Sequence, residues 1–146
     1  MENARSPVAA PARPEVTLAV TRGVTRLFAE LGLAPLLEFT LPTGRRVDVA
    51  GLDRGGRLVF AEVKSCRADF DADAKWTDYL GYCDAFYFAA PADFPRERLP
   101  ATEGLIVADA FGGAVLADAV DRPLAPARRK ALTLRFARQA ARAALA

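Results

Sequence analysis

Residues 45–64 constrain the fold of this chain more than any other stretch. Residues 45–53 (RRVDVAGLD) and 57–64 (RLVFAEVK) both read as strands rich in β-branched and apolar residues. Arg54-Gly55-Gly56 separates them, and its glycines can take positive φ, so the two strands are expected to form a hairpin. A three-residue loop pairs Asp53 with Arg57 and sets Asp48 directly across from Glu62. A two-residue Gly55-Gly56 turn slips the register by one and sends the two carboxylates to opposite faces. Every functional reading of the hairpin depends on which loop forms.

Charged residues are costly inside the strands of a small domain, and Asp48, Glu62 and Lys64 on one sheet face require compensation. A bound cation supplies it. The two carboxylates, Asp48 and Glu62, with the main-chain carbonyl of Val63, form an oxygen donor set suited to Mg²⁺ or Mn²⁺ and leave room for water and a phosphate oxygen. Lys64 would then stabilise charge developing on phosphorus or position the attacking water. The chain has no histidine, which removes Ser-His-Asp and Cys-His catalysis and His-ligated metal chemistry. Its only cysteines, Cys66 and Cys83, are expected to be free thiols and cannot build a four-ligand zinc site.

The flanking pattern extends the hairpin into an α/β domain. Val16, Val20, Val24, Leu27 and Leu31 recur at helical spacing, with Gly32 as the stop. Residues 36–41 read as a strand ended by Pro42 and a Thr43-Gly44 turn. A polar helix is expected over residues 71–82, strands over 85–89 and 104–109, and an edge strand or turn over 114–119. From Pro123 onward the chain reads as a long helix. This order predicts a three-layer α/β sandwich with a mixed central sheet flanked by helices. Residues 1–14 read as a flexible leader, 15–121 as the core and 122–146 as a basic C-terminal helix packed on it. No apolar run reaches the roughly 20 residues that span a bilayer, and the first residues lack a signal-peptide core, so a cytoplasmic location is expected.

Charge is unevenly shared. The net is +2, yet residues 122–146 hold seven basic and no acidic side chains, leaving residues 1–121 with 13 basic and 18 acidic groups. Arg128, Arg135, Arg138 and Arg142 form one stripe of the last helix, with Leu134, Ala137, Ala141 and Leu145 as the expected docking face. The stripe is either a solvated face or a phosphate-binding one. Lys75, at the start of the helix after Glu62-Val63-Lys64, shares a face with Tyr79 and joins the candidate nucleic-acid contacts. Trp76 is read as core, and Asp69 and Asp71 as helix caps.

The order of helix, strand, Asp48-bearing strand, Glu62-Val63-Lys64 strand and helix resembles the signature of the PD-(D/E)XK nuclease superfamily, whose fold is restriction-endonuclease-like. More narrowly, residues 44–91 (GRRVDVAGLDRGGRLVFAEVKSCRADFDADAKWTDYLGYCDAFYFAAP) are similar to the MmcB-type bacterial DNA repair proteins. The resemblance covers about residues 16–109, and Val47 stands where the superfamily has proline. It implies a metal-dependent DNA nuclease acting in repair, with Asp48, Glu62 and Lys64 as metal-binding and catalytic positions and DNA as partner. It also implies an accessory acid on or near the first helix, for which Glu30 and Glu38 are the candidates. A nuclease fold that binds DNA or scaffolds repair without cutting is the alternative. At 146 residues the chain has little room beyond a catalytic core, so a homodimer or a repair-protein partner is expected to supply specificity.

Overall fold

The computed structural model of the protein describes residues 13–66 and 75–146; the expected leader lies almost entirely outside them, as do Asp69 and Asp71. The elements in chain order are α1 (Arg13–Glu30), β1 (Ala34–Thr40), β2 (Arg46–Leu52), β3 (Leu58–Val63), a 3-10 helix (Trp76–Tyr82), β4 (Ala85–Ala90), a 3-10 turn (Arg96–Arg98), β5 (Gly104–Asp109), β6 (Gly112–Ala117) and α2 (Pro126–Ala143). The six strands form one sheet in sequence order, β1 to β6. Only the β3–β4 and β4–β5 pairs are parallel, so the sheet is mixed. Helix α1 covers one face, while the 3-10 helix and α2 cover the other, giving the three-layer sandwich.

Two apolar clusters hold the layers. Val20, Val24, Leu27 and Phe28 of α1 bury against Val49, Val59, Ala61 and Ile106. On the opposite face Phe39, Phe60, Phe86 and Phe88 pack with Tyr79, Leu132 and Phe136. Helix α1 starts at Arg13, two residues earlier than expected, because Pro14 is tolerated in a first turn where amide donors have no helical partner. It ends as expected at Gly32, whose φ is +81°, with Leu33 N donating back to Phe28 O at 2.8 Å. That reversal turns Leu31 outward, against its expected place on the buried face, and Leu33 takes the inner position. Gly23 is required where α1 crosses the β5–β6 turn, since a Cβ there would lie 2.1 Å from the Asp109 carbonyl oxygen.

Three expectations are corrected. The segment after β3 is a 3-10 helix over Trp76–Tyr82 rather than an α-helix, so side chains three apart align and Trp76 shares its face with Tyr79. Trp76 stacks on Phe86 at 6.1 Å and meets Phe88 edge-on at 5.3 Å, and its place in the core follows from that. The last helix begins at Pro126, not Pro123, because residues 122–125 are pinned in extended form against Asp84. Its docking residues are Leu132 and Phe136, whereas Leu134 and Leu145 are exposed. Alanine-rich composition gives weak amphipathic contrast, and the one aromatic residue decides which way the helix faces.

Asp84, just before β4, is the point where these parts are joined. Its buried carboxylate accepts from Leu58 N at 2.7 Å, from Leu124 N at 3.0 Å and from both terminal nitrogens of Arg129 at 2.9 and 2.5 Å. Its own backbone carbonyl takes Arg122 N at 2.8 Å. Burial pushes the Asp84 carboxyl up, but the Arg129 guanidinium and the two amide donors outweigh it and hold the group below the ordinary carboxylate range. Glu103 is held low in the same way, first by its paired hydrogen bonds from Arg122 at 2.9 and 3.1 Å.

Removing one partner of such a buried pair leaves the other uncompensated, so Asp84→Ala is expected to cost about 3–5 kcal/mol in urea unfolding. Because both carboxyls titrate lower when folded, their stabilisation is complete above the ordinary carboxylate range. It drains away as pH falls below about 4. Unfolding followed by circular dichroism from neutral to acid pH should show that loss, and it should be smaller in Asp84→Asn.

Candidate active site

The β2–β3 hairpin takes the longer loop. Leu52 pairs with Leu58 and Val49 with Ala61, Asp53 N donates to Arg57 O at 3.0 Å, and Gly56 sits at φ +90°. Asp53 Oδ1 closes the loop by accepting from Gly55 N and Arg57 N, each at 2.8 Å. The same register sets Asp48 opposite Glu62. The ladder itself stops one pair earlier, at Val49 and Ala61, and beyond it the Asp48 carboxylate replaces the backbone partner: its Oδ2 accepts from Val63 N at 2.7 Å. Asp48 is thereby anchored to the peptide that links Glu62 with Val63, one residue before Lys64.

Glu62 and Lys64 are both buried, at 8% and 4% exposure, an unusual state for residues of these types in a small domain. They continue the alternation of Leu58 and Phe60, on the face that carries α2. Asp48 occupies an irregular position. Val47 packs on the α2 face and Val49 on the α1 face, so side-chain alternation in β2 breaks at Asp48. Strand β1 breaks at the facing residue: Leu36 and Phe39 lie on the same face, and Glu38 between them has φ +55°, the only non-glycine residue among those described with positive φ. Such a backbone is uncommon for a residue with a Cβ and costs on the order of 1–3 kcal/mol, a kind of strain that clusters at functional sites.

Beside this break lies a cleft of about 710 Å³ lined by Pro14, Thr17, Leu18 and Thr21 of α1, Leu37 and Glu38 of β1, and Asp48. The structure therefore brings Glu38 and Asp48 to one cleft on the α1 side, and Glu62 and Lys64 are not among its lining residues. Glu30 is nine residues beyond Thr21, roughly 13 Å further along the helix, and does not reach it. Among the described residues no group of three or more acidic or cysteine side chains converges as a ready metal cage. Among the described residues, the Asp48 and Glu62 carboxylates and the Val63 carbonyl at the end of the ladder are hard oxygen donors. Their chemistry fits Mg²⁺ or Mn²⁺, with water completing the shell.

A family model for DNA repair proteins of the MmcB-like type matches residues 4–145. The chain belongs to the MmcB-like DNA repair protein family. Among solved structures it is similar to a protein of unknown function from Silicibacter pomeroyi, with 45% identity over 87% of each chain and a TM-score of 0.84. A repair endonuclease from Pyrococcus abyssi is a remote neighbour, at 18% identity over 64% of this chain and 43% of that one, with a TM-score of 0.39, too slight a likeness to carry an argument. The comparison with curated proteins gives no match.

The remaining candidate residues of this MmcB-like chain are dispersed. Lys75 caps the 3-10 helix and is exposed. The four arginines of α2 do not act as one stripe. Arg128 is exposed but folds along the domain surface, donating to Gly81 O at 2.9 Å with its guanidinium 4.8 Å from the Tyr82 ring centre, and Arg135 reaches Thr40 O at 3.4 Å. Arg138 and Arg142 are exposed and share with Arg135 a hollow of about 310 Å³. Cys66 is half-exposed, whereas Cys83 is buried, with its thiol pushed up chiefly by burial.

Two residues that hold this region had no signal in the sequence. Gln139 of α2 pairs with the outer side of β1: Thr40 N donates to its Oε1 at 2.9 Å and its Nε2 donates to Thr40 O at 2.7 Å. A side-chain amide thus stands in for a neighbouring strand, two residues from Glu38. Arg129, the partner of Asp84, reads in sequence as one more residue of a basic helix.

The positive φ at Glu38 gives a direct test. Glu38→Gly should raise stability by about 1 kcal/mol in urea unfolding, while Glu38→Val should lower it by more than that. Equal effects of the two substitutions would argue against a left-handed backbone at this position.

Proposed function

We propose that this protein is a divalent-metal-dependent deoxyribonuclease that hydrolyses phosphodiester bonds during DNA repair. The observation that carries the reading is the seating of the Asp48 carboxylate on Val63 N at 2.7 Å, which ties it to the backbone between Glu62 and Lys64, both buried at the end of one strand. A chain with no catalytic use for Glu62 and Lys64 would gain by replacing them with apolar residues, since burying charge is costly. The family supports DNA repair as the setting.

Asp48 and Glu62 would hold the ion, with the Val63 carbonyl. When bound, it acidifies a water and polarises the scissile phosphate. The protein's own part is positional. Asp48 keeps its orientation through the Val63 amide, which leaves its second oxygen for other partners. Glu62 is fixed by the parallel pairing of β3 with β4, opposite Phe88. Lys64, whose backbone amide donates to Ala89 O at 2.8 Å, places its ammonium group to offset negative charge that builds on the phosphate oxygens in the transition state. Glu38, across from Asp48, is the accessory acid in this reading.

Nicking and degradation assays on single-stranded, duplex and branched DNA, with Mg²⁺ or Mn²⁺ against EDTA, test the proposal. Glu62→Gln and Asp48→Asn should each weaken metal binding and abolish most turnover. Lys64→Ala should reduce turnover by on the order of 100-fold or more while leaving the metal bound. DNA binding should survive in all three. Wild-type protein that binds DNA, cuts none of these substrates and behaves like its variants would assign the fold to DNA holding instead.

A further inference from the structure

Strand β1 forms an edge of the sheet, and two dissimilar concavities open beside it. On the α1 side is the cleft that contains Glu38 and Asp48. Its other walls are threonine, proline and leucine, and among the described residues no basic side chain lines it. Leu18 and Leu37 in that cleft are 51% and 50% exposed, an apolar pair held open to solvent next to two carboxylates. On the α2 side is the hollow formed by Arg135, Arg138, Arg142 and Gln139, lined by no acidic side chain among the described residues. Gln139 closes the open edge of β1 at Thr40, with Arg135 on the same carbonyl and Arg138 and Arg142 exposed beside it on α2. Leu37 and Thr40 are three strand residues apart, roughly 10 Å, which is about three stacked nucleotides of one DNA strand.

A duplex would bring two phosphate backbones to a cleft whose lining is acidic and apolar, where the nearby Arg46 is already paired with Glu38 at 3.8 Å. A single strand has different needs. Its phosphates can sit in the arginine hollow while an unpaired base, apolar on both faces, covers Leu18 and Leu37. We propose that single-stranded DNA crosses the β1 edge, with its backbone held by Arg135, Arg138 and Arg142 and an unpaired base seated between Leu18 and Leu37. This deepens the nuclease reading and rests on it only for what happens to the strand at Asp48. The seat makes unpaired DNA, at a gap, flap or overhang, the substrate class.

Binding without metal separates the two ideas. In EDTA, fluorescence anisotropy with a labelled strand of about 15 nucleotides and with its blunt duplex should show the single strand bound about tenfold more tightly. Leu18→Ala/Leu37→Ala, at two half-exposed positions, should fold normally by circular dichroism and lose about tenfold in single-strand affinity with duplex binding unchanged. A 2-aminopurine base in the strand should change its fluorescence on binding to the wild type and not to this variant. Arg138→Ala/Arg142→Ala should weaken both DNA forms and lower the salt slope for the single strand by about 1.4. Equal affinity for strand and duplex, or no effect of the leucine substitutions, overturns the seat and leaves the cleavage test untouched. A dimer in sedimentation that the leucine substitutions dissolve would give the patch to a second copy and likewise overturn it. Loss of cleavage without loss of this binding pattern would count against the nuclease reading alone.

Discussion

The Asp84 carboxylate is the constraint on which the rest of the molecule depends. One buried group takes four hydrogen bonds: from the first residue of β3, from the connection that leads into α2, and twice from Arg129 of α2 itself. A buried ion pair gains little net stability over apolar packing, because the cost of removing two charges from water offsets their attraction. What it does supply is geometry. Arg129 also donates to Gly56 O at 2.6 Å, so the β2–β3 loop and the start of β3 are tied to the same helix.

Position at one end of α2 has consequences at the other. Arg129 and Gln139 are ten residues apart, and with Leu132 and Phe136 between them they fix the helix along the sheet. Gln139 then completes the outer side of β1 at Thr40, and Phe39 packs on Phe136 at 5.6 Å. For Phe39 to reach that face, β1 must break its alternation at Glu38, and β2 breaks with it at Asp48. The strain at Glu38 is thus sustained by α2 packing on the opposite face. The irregularity that frees Asp48 from the ladder and turns it to Val63 N is a product of the whole sandwich.

Much of this was legible in sequence. The strand pair around Arg54-Gly55-Gly56, its register, the Gly32 stop and five of the six strands follow from glycine placement and short-range patterning. The edge strand or turn expected over residues 114–119 is strand β6, over Gly112–Ala117. The 3-10 form after β3 was hidden, because its aromatic residues fit a helix of either period and only stacking on Phe86 and Phe88 selects the tighter one. The many alanines of α2 give little contrast between its faces, and that Leu132 and Phe136 dock rather than Leu134 and Leu145 follows only from packing.

The sequence by itself determined the hairpin and its register, since loop length and strand periodicity are local properties that survive any arrangement of the remainder. It also carried the chemical inventory, with no histidine and an oxygen-rich donor set. Only the tertiary structure decided that Glu38 rather than Glu30 joins Asp48 in a cleft, that Arg128 and Arg135 turn to the domain while Arg138 and Arg142 face out, and that Asp84 takes Arg129. The arginine pairings depend on residues 45 to more than 90 positions apart and the cleft on α1 meeting β1 and β2 across packed layers, and no local pattern encodes which of many similar side chains will do so.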